Sequence, residues 1–298
     1  MARCNEGELS MESRRAAMRA TRSHTEAAAQ EKTSASMNRS LERGLCILRC
    51  FRPGLGALGN AEVAERTGLP KATVSRLMQT LAHGGFLKKD PVLQTYRLSF
   101  SVLSLAHAVM LDSQVVHEAV PLMQALSARQ HINVGLSVPD ELDMVYLHVA
   151  HGDRSRLSRR IEPGHRRPME TNAVGRAYLA SLSRRQRAGQ LLRLKARHER
   201  NWPAVAAEIE ASLRRFEAEG HCSVVWGHGT ESTAMPLIMD EGTFVLNVSY
   251  SIEEFSNRHI RSVLLPALHE LAEALRARLA GCVRTAAAAS SMRPTRRP

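Results

Sequence analysis

The segment that most constrains this chain runs from Asn60 to His83, NAEVAERTGLPKATVSRLMQTLAH. It predicts two helices joined by a tight turn. Asn60 offers a side-chain oxygen as N-cap, and Glu62 sits in the first turn, where the helix dipole favours an acid. Ala61, Val63, Ala64 and Thr67 then form a small, mostly apolar face. Gly68 follows the last turn, where glycine takes up the left-handed conformation without a steric penalty. Pro70 opens the second helix, a position at which its missing N–H is of no consequence. On that helix Val74, Leu77, Met78 and Leu81 lie within an arc of about 100°. Ala72, Arg76, Gln79 and His83 occupy the opposite face, flanked by Lys71, Thr73 and Ser75. A short helix, a glycine turn and a helix with a basic outer face make a helix-turn-helix.

Gly84-Gly85 breaks the second helix, and Phe86–Lys89 and Thr95–Leu98 read as short strands with Asp90-Pro91 between them. Two strands directly after a recognition helix form a wing. Lys88, Lys89 and Arg97 of this wing are placed to meet phosphates. Arg76 and Gln79 have the chemistry to read guanine and adenine edges, with Lys71, Ala72, Thr73 and Ser75 at the helix end that usually enters the groove. The expected partner is double-stranded operator DNA.

Charge separates this module from the rest of the chain. The net charge is +12 over 298 residues. Residues 37–100 carry 10 basic and 4 acidic side chains, whereas residues 101–281 carry 21 and 20. The last stretch, residues 282–298, carries 4 basic and no acidic side chains. The excess therefore sits on the winged helix and the C-terminal tail, the footprint of a DNA-binding module joined to a nearly neutral domain. Five cysteines, none at metal-ligand spacing, read as reduced thiols. No apolar run approaches the length of a transmembrane helix, and a cytoplasmic protein with no membrane contact is expected.

In chain order, residues 1–36 are expected to be a disordered tail. Residues 37–99 form the winged helix-turn-helix, opened by a helix from Ser40 and closed at Pro53-Gly54. An apolar linker helix, Phe100–Leu111 within residues 100–113, has too much apolar surface to stand alone in water, and pairing between copies would cover it. Residues 114–281 read as an α+β domain. It begins with an amphipathic helix Pro121–Gln130 and a hairpin of Asn133–Val138 and Asp143–Val149, followed by an arginine-rich segment Arg154–Arg167. Helices Thr171–Leu182, Arg184–Leu194 and Pro203–Glu219 come next, then strands Cys222–Trp226, Ala234–Met239 and Phe244–Tyr250. A last helix, Asn257–Leu279, is expected to kink at Pro266 and stop at Gly281, before a disordered basic tail of residues 282–298.

Three stretches resemble the IclR family of bacterial transcriptional regulators: SLERGLCIL from Ser40, AEVAERTGLPKATVSRL from Ala61 with the strand Tyr96-Arg97-Leu98, and PMETNAVGRA from Pro168. The resemblance covers about residues 38–280 and implies a dimer or tetramer that binds DNA. It also implies a GAF-like C-terminal domain that takes up a small-molecule effector, commonly an organic acid. The start of a helix at Thr171-Asn172-Ala173 suits a carboxylate on physical grounds, because its first N–H groups lack intrahelical partners. By resemblance the facing wall comes from Ser232, Asn247 and Ser249, with Cys222 and Trp226 near its edge. Ser232 stands where many relatives have cysteine, Asn172 where threonine is commoner and Asn247 where serine is.

Thirteen histidines include the pairs His148/His151 and His221/His228, neither with a carboxylate or cysteine at ligand spacing. No nucleophile motif, Walker loop or dinucleotide fingerprint stands in context, so neither catalysis, metal nor cofactor is expected. The leading reading is a ligand-responsive transcriptional regulator of a catabolic or metabolic operon. The alternative is an enzyme or small-molecule-binding protein whose N-terminal domain serves protein contacts. Cations spread over a helix and its wing favour the first.

Overall fold

The computed structural model describes residues 38–152, 161–227 and 229–291, with side chains up to Ala280. The expected N-terminal tail and most of the arginine-rich segment lie outside these residues. The chain divides into two compact units, one built on the helix-turn-helix and ending at Phe100, the other beginning at Ser101.

In the first unit α1 spans Arg39–Leu48, capped by the Asn38 side chain, which accepts from the Ser40 and Leu41 N–H groups. The helix-turn-helix follows as α2, Asn60–Thr67, and α3, Lys71–His83. Gly68 is left-handed at φ 68° and its N–H returns to the Ala64 carbonyl at 2.9 Å. Asn60 is the first helical residue, so it is not the cap predicted for it. Gly59 takes that position, and Glu62 accepts its N–H at 2.9 Å. Pro70 likewise stands one place earlier than predicted, as the residue before α3.

The wing has three strands rather than two, in the order β1-β3-β2. β1, Leu58–Gly59, pairs with β3, Thr95–Leu98, which also pairs with β2, Leu87–Lys89. A strand of two residues has no alternation to betray it. Ile47, Val63, Val74, Met78, Leu58 and Tyr96 close the core of this unit.

The second unit opens with α4, Ser101–Asp112, none of whose residues is buried. α5 follows as Gln114–Gln130. It begins seven residues before the predicted start: Ser113 caps it, and Pro121 lies inside the helix instead of opening it. A six-stranded antiparallel sheet comes next, ordered β6-β5-β4-β9-β8-β7. Its strands are β4 (Asn133–Asp140), β5 (Asp143–Ala150), β6 (Arg166–Pro168), β7 (Cys222–Trp226), β8 (Thr230–Met239) and β9 (Gly242–Ser251). Between β6 and β7 lie a 3-10 turn, Met169–Thr171, and three helices: α6 (Ala173–Ser181), α7 (Arg184–Arg197) and α8 (Trp202–Glu219). The chain then forms a short α9, Asn257–His259, a π-helical turn, Ile260–Leu264, and α10, Leu265–Ser291. Gly281 does not stop this helix, which runs on through the first part of the predicted tail.

Alternation along the strands sorts side chains between two helical layers. Val134, Leu136, Leu246, Val248 and Leu237 face α5 and α10. Val245, Ala234 and Cys222 face α6 and α8, on the side that also carries Ser232, Asn247 and Ser249. This is the α+β fold predicted for the domain.

Gly175 sets how closely α6 approaches the 3-10 turn. A Cβ there would lie 2.2 Å from Met169 Cα and carbonyl oxygen. Gly189, inside α7, meets nothing within 4 Å. Gly175→Ala should therefore destabilise by at least about 2 kcal/mol through overpacking. Gly189→Ala should stabilise by about 0.5–1 kcal/mol through helix propensity. Urea unfolding of the two variants should move the midpoint in opposite directions.

Candidate functional site

The candidate site residues lie on two surfaces, one in each unit. On α3, Lys71, Ala72, Arg76 and Gln79 are exposed, whereas Thr73 and Ser75 are partly covered. Val74 and Met78 are fully buried beneath them, which fixes the direction in which the outer face points. The first turn of α3 has no acid and no side-chain cap, so its N–H groups stay open to an anion.

The wing separates its cations. Lys88 stands directly opposite Arg97 in the ladder, on the outer side. Lys89 pairs with Tyr96 on the other side and holds its ammonium 5.9 Å from the Tyr96 ring centre. Like charges directly opposite one another destabilise a ladder. Asp90 partly offsets this, with Oδ2 3.7 Å from the Arg97 guanidinium. The Asp90 carboxylate also accepts from the Leu93 and Val92 N–H groups, which form the turn and, with Arg97, hold its pKa below the usual carboxylate range.

In the second unit a cavity of about 240 Å³ lies between the sheet and the start of α6. Thr171, Asn172 and Ala173 form one wall, and Ser232 and Ser249 the opposite one. Ser232 and Ser249 are register partners, 3.2 Å apart through their hydroxyls. Asn247 donates from Nδ2 to both, at 3.2 Å to Ser232 and 3.1 Å to Ser249. It lines a small inner extension of the cavity with Asn133, Gly135 and Tyr146. Its Oδ1 is buried and has no hydrogen-bond partner. A Cβ on Gly135 would meet that oxygen at 2.4 Å, so only glycine leaves room for the amide.

Asn172 is the N-cap of α6. Its Oδ1 accepts from the Gly175 N–H at 2.9 Å, and its Nδ2 donates to the Pro168 carbonyl. The cap thus uses one of the open N–H groups and leaves those at the first positions of the helix without an intrahelical acceptor.

Of the aromatic and charged lining, the sequence places Trp226 at the cavity edge but assigns neither Tyr146 nor Arg167 to it. Tyr146 and Trp226 line the cavity, and Arg167 is its only charged lining side chain among the described residues. The Arg167 guanidinium lies 5.5 Å from the Trp226 ring centre, a cation–π stack. Pairing of β6 with β5 sets Arg167 opposite Met144, towards the cavity, and Arg166 away from it, in a strand too short to show alternation in the sequence. Cys222, by contrast, is absent from the lining. It is fully buried in the core, where burial pushes its thiol up to about 12.

Residues 40–91 match the IclR helix-turn-helix domain, and residues 107–277, more than half the chain, match the bacterial transcriptional regulator IclR C-terminal domain. The chain belongs to the IclR family. A crystal structure of an IclR family transcriptional regulator from Brucella abortus is 33% identical, covers 83% of this chain and 95% of its own, and superposes with a TM-score of 0.76. The HTH-type transcriptional regulator TsaQ1/TsaQ2 of Comamonas testosteroni is 29% identical over 245 residues, 80% of this chain and 88% of the relative. The Pca regulon regulatory protein of Pseudomonas putida is 28% identical over 236 residues, 77% of this chain and 80% of the relative. As an IclR-family member the chain is a ligand-responsive DNA-binding regulator of transcription and not an enzyme. Among the described residues no helix is long and apolar enough to cross a membrane.

In this IclR-family domain a polar web holds the cavity wall in place. Arg166 of β6 binds Asp140 at 2.5 Å and Asp143 at 3.1 Å. Arg197 reaches Asp143 at 3.0 Å and Glu170 at 3.7 Å, and His198 meets Glu170 at 2.5 Å. Burial pushes the Asp143 carboxyl up, but hydrogen bonds from Arg166 and Arg197 outweigh it and hold it below the usual range. A depressed carboxyl stabilises the fold above its unfolded pKa of about 3.9, and the gain is lost as pH falls through the folded value. Asp143→Asn should cost about 1.5–3 kcal/mol near neutral pH. Thermal unfolding from pH 7 towards pH 3 should show the deficit shrinking below about pH 4.

Proposed function

We propose that the protein regulates a catabolic operon by sensing a small organic acid in the cavity at the start of α6. Arg167 carries this reading, as the one cation among its described lining residues, stacked on Trp226 beside the N-terminus of a helix. A carboxylate lies between Arg167 and the open N–H groups of α6. Ser232, Asn247 and Ser249 hold the far end of the acid, and the buried Asn247 oxygen accepts from a ligand hydroxyl. Trp226, Tyr146 and Ile161 cover the apolar body between.

For operator DNA, Arg76 and Gln79 read base edges, Lys71, Ala72, Thr73 and Ser75 enter the groove with them, and Lys88, Lys89 and Arg97 hold phosphates. The Lys88–Arg97 pair supports this assignment, because a phosphate between the two removes their mutual repulsion. A homodimer or homotetramer supplies the two modules that a specific site needs. The apolar surface of α4 supports pairing: Leu103, Leu105, Val109 and Leu111 are each more than half exposed. Such a protein works in the cytoplasm, on the operator.

Three measurements test this reading. Thermal shift against a panel of aliphatic and aromatic carboxylates, each beside its amide, should find an acid that binds while its amide does not. Arg167→Gln should abolish that shift, and Ser249→Ala should weaken binding by about 1.5–3 kcal/mol, one hydrogen bond to a charged group. An amide that binds as well as its acid would refute the carboxylate assignment. In mobility shifts with DNA flanking its own gene, Arg76→Ala should lose about 1–3 kcal/mol on the operator and far less on random DNA. Lys88→Ala and Arg97→Ala should weaken both DNAs alike and flatten the salt dependence. Light scattering should return a dimer or larger, and a monomer with and without DNA would remove the pairing role of α4.

A further inference from the structure

The cavity for the acid uses one face of the sheet. On the other face β7, β8 and β9 contribute Ser223, Glu231, Thr233 and Tyr250, with Ser223 opposite Thr233 and Glu231 opposite Tyr250. These four residues floor a second cavity of about 530 Å³. Arg215 and Glu219 from the end of α8 form one wall, and Ile260 and Arg261 of the π-helical turn form the other.

The floor is rigid and polar. Ser223 Oγ is 2.8 Å from Thr233 Oγ1, which is 3.1 Å from the Tyr250 hydroxyl. Tyr250 in turn bonds Glu231, and burial first, then this carboxylate, pushes its pKa up. Thr233 and Tyr250 are almost wholly buried, so the chain of hydroxyls holds Glu231 in a defined place at the base. His221, in the same lining, donates from Nδ1 to the Glu219 carbonyl at 3.0 Å, and burial pushes its pKa down. Its Nε2 lies 3.3 Å from the Glu219 carboxylate, and the permanent charges on the lining are those of two arginines and two glutamates.

The arrangement of those charges is informative. Side chains this long around one cavity would ordinarily pair with each other. Among the described residues neither Arg215 nor Arg261 is paired with a carboxylate, while Glu231 lies low on the floor, bonded to a neutral phenol. Arg215 and Arg261 stand on the helical walls and Glu231 on the sheet, around a space within the usual range for small-molecule sites, while Glu219, on the α8 wall, is taken up by His221 at 3.3 Å. The wall bearing Arg261 is a single π-helical turn just ahead of Pro266, a local widening of the kind that recurs at functional sites.

We propose that this cavity is a second ligand site, for a small zwitterion of the α-amino acid class. Arg215 and Arg261 take its carboxylate, Glu231 takes its ammonium, and Ile260 and Leu265 cover its side chain. The site does not depend on the acid-sensing assignment, since its lining shares no residue with the first cavity. Ser232 lies between Glu231 and Thr233 in β8 and faces the other way, so one strand serves both ligands.

The full-length protein should be screened by thermal shift and then calorimetry with the proteinogenic L-α-amino acids at millimolar concentration. At least one should raise the melting temperature, whereas its deaminated acid and its decarboxylated amine should not. Glu231→Gln and Arg261→Gln should each weaken its binding at least tenfold, and Arg167→Gln should leave it intact. Circular dichroism of the three variants controls for folding. The proposal is overturned if no amino acid shifts the transition, or if the deaminated acid binds as well as its parent. It is also overturned if binding fails in Arg167→Gln and survives in Arg261→Gln, which would place the amino acid in the first cavity.

Discussion

Strand alternation is the constraint on which the second unit depends. Met235 and Leu237 of β8 and Phe244, Leu246 and Val248 of β9 alternate into a dry core against α5 and α10, and Ser232, Asn247 and Ser249 lie on the opposite phase. Leu246 and Val248 anchor one side of β9 and so force Asn247 and Ser249 to the other. There the register sets Ser249 against Ser232 and Asn133. A slip of one residue would bury three polar side chains among leucines and empty both cavities of their chemistry. The core thus positions the polar groups without touching them.

Local chemistry made part of this legible from the sequence. Gly68 has to be left-handed, Ser183 caps α7, Gly220 ends α8, and β3 and β7 have the predicted bounds. Each depends on residues adjacent in the chain. The misses depend on distant ones. β1 and β6 are two and three residues long and exist because β3 and β5 offer them edges. Asn60 has the right side chain for a cap, but Gly59 pairs with Thr95 in the sheet and so settles where α2 begins. Pro121 and Gly281 both sit inside helices, where packing of Val115, Ala119 and Met123 on one and Leu268, Leu275 and Leu279 on the other overrides the local preference.

The same division holds at the cavity. Thr171, Asn172 and Ala173 are contiguous and could be named from a helix start, and Ser232, Asn247 and Ser249 from alternation with a family resemblance. Arg167 could not be singled out from a run of arginines, because its direction follows from pairing with Met144 and from Asp140 and Asp143 drawing Arg166 the other way. Tyr146 reads as one more apolar strand residue until the bulge between Leu136 and Ser137 is known, since that irregularity sets Tyr146 against Ser137.

The contact between Gly175 and Met169 has a mechanical meaning. With no atom between the two backbones, the 3-10 turn and α6 cannot slide past each other, and Asn172 ties them again through Pro168 and Gly175. They form a single wedge. The same wedge grips α8 through Arg176, whose guanidinium holds Ser212 and Glu208, and grips the end of α7 through Glu170 and His198. A molecule that presses on Ala173 therefore cannot be absorbed by a local give in the wall. The wall at Ala173 is thus one rigid piece with the end of α7 and with α8, tied to both, and not a separate loop lying over the cavity.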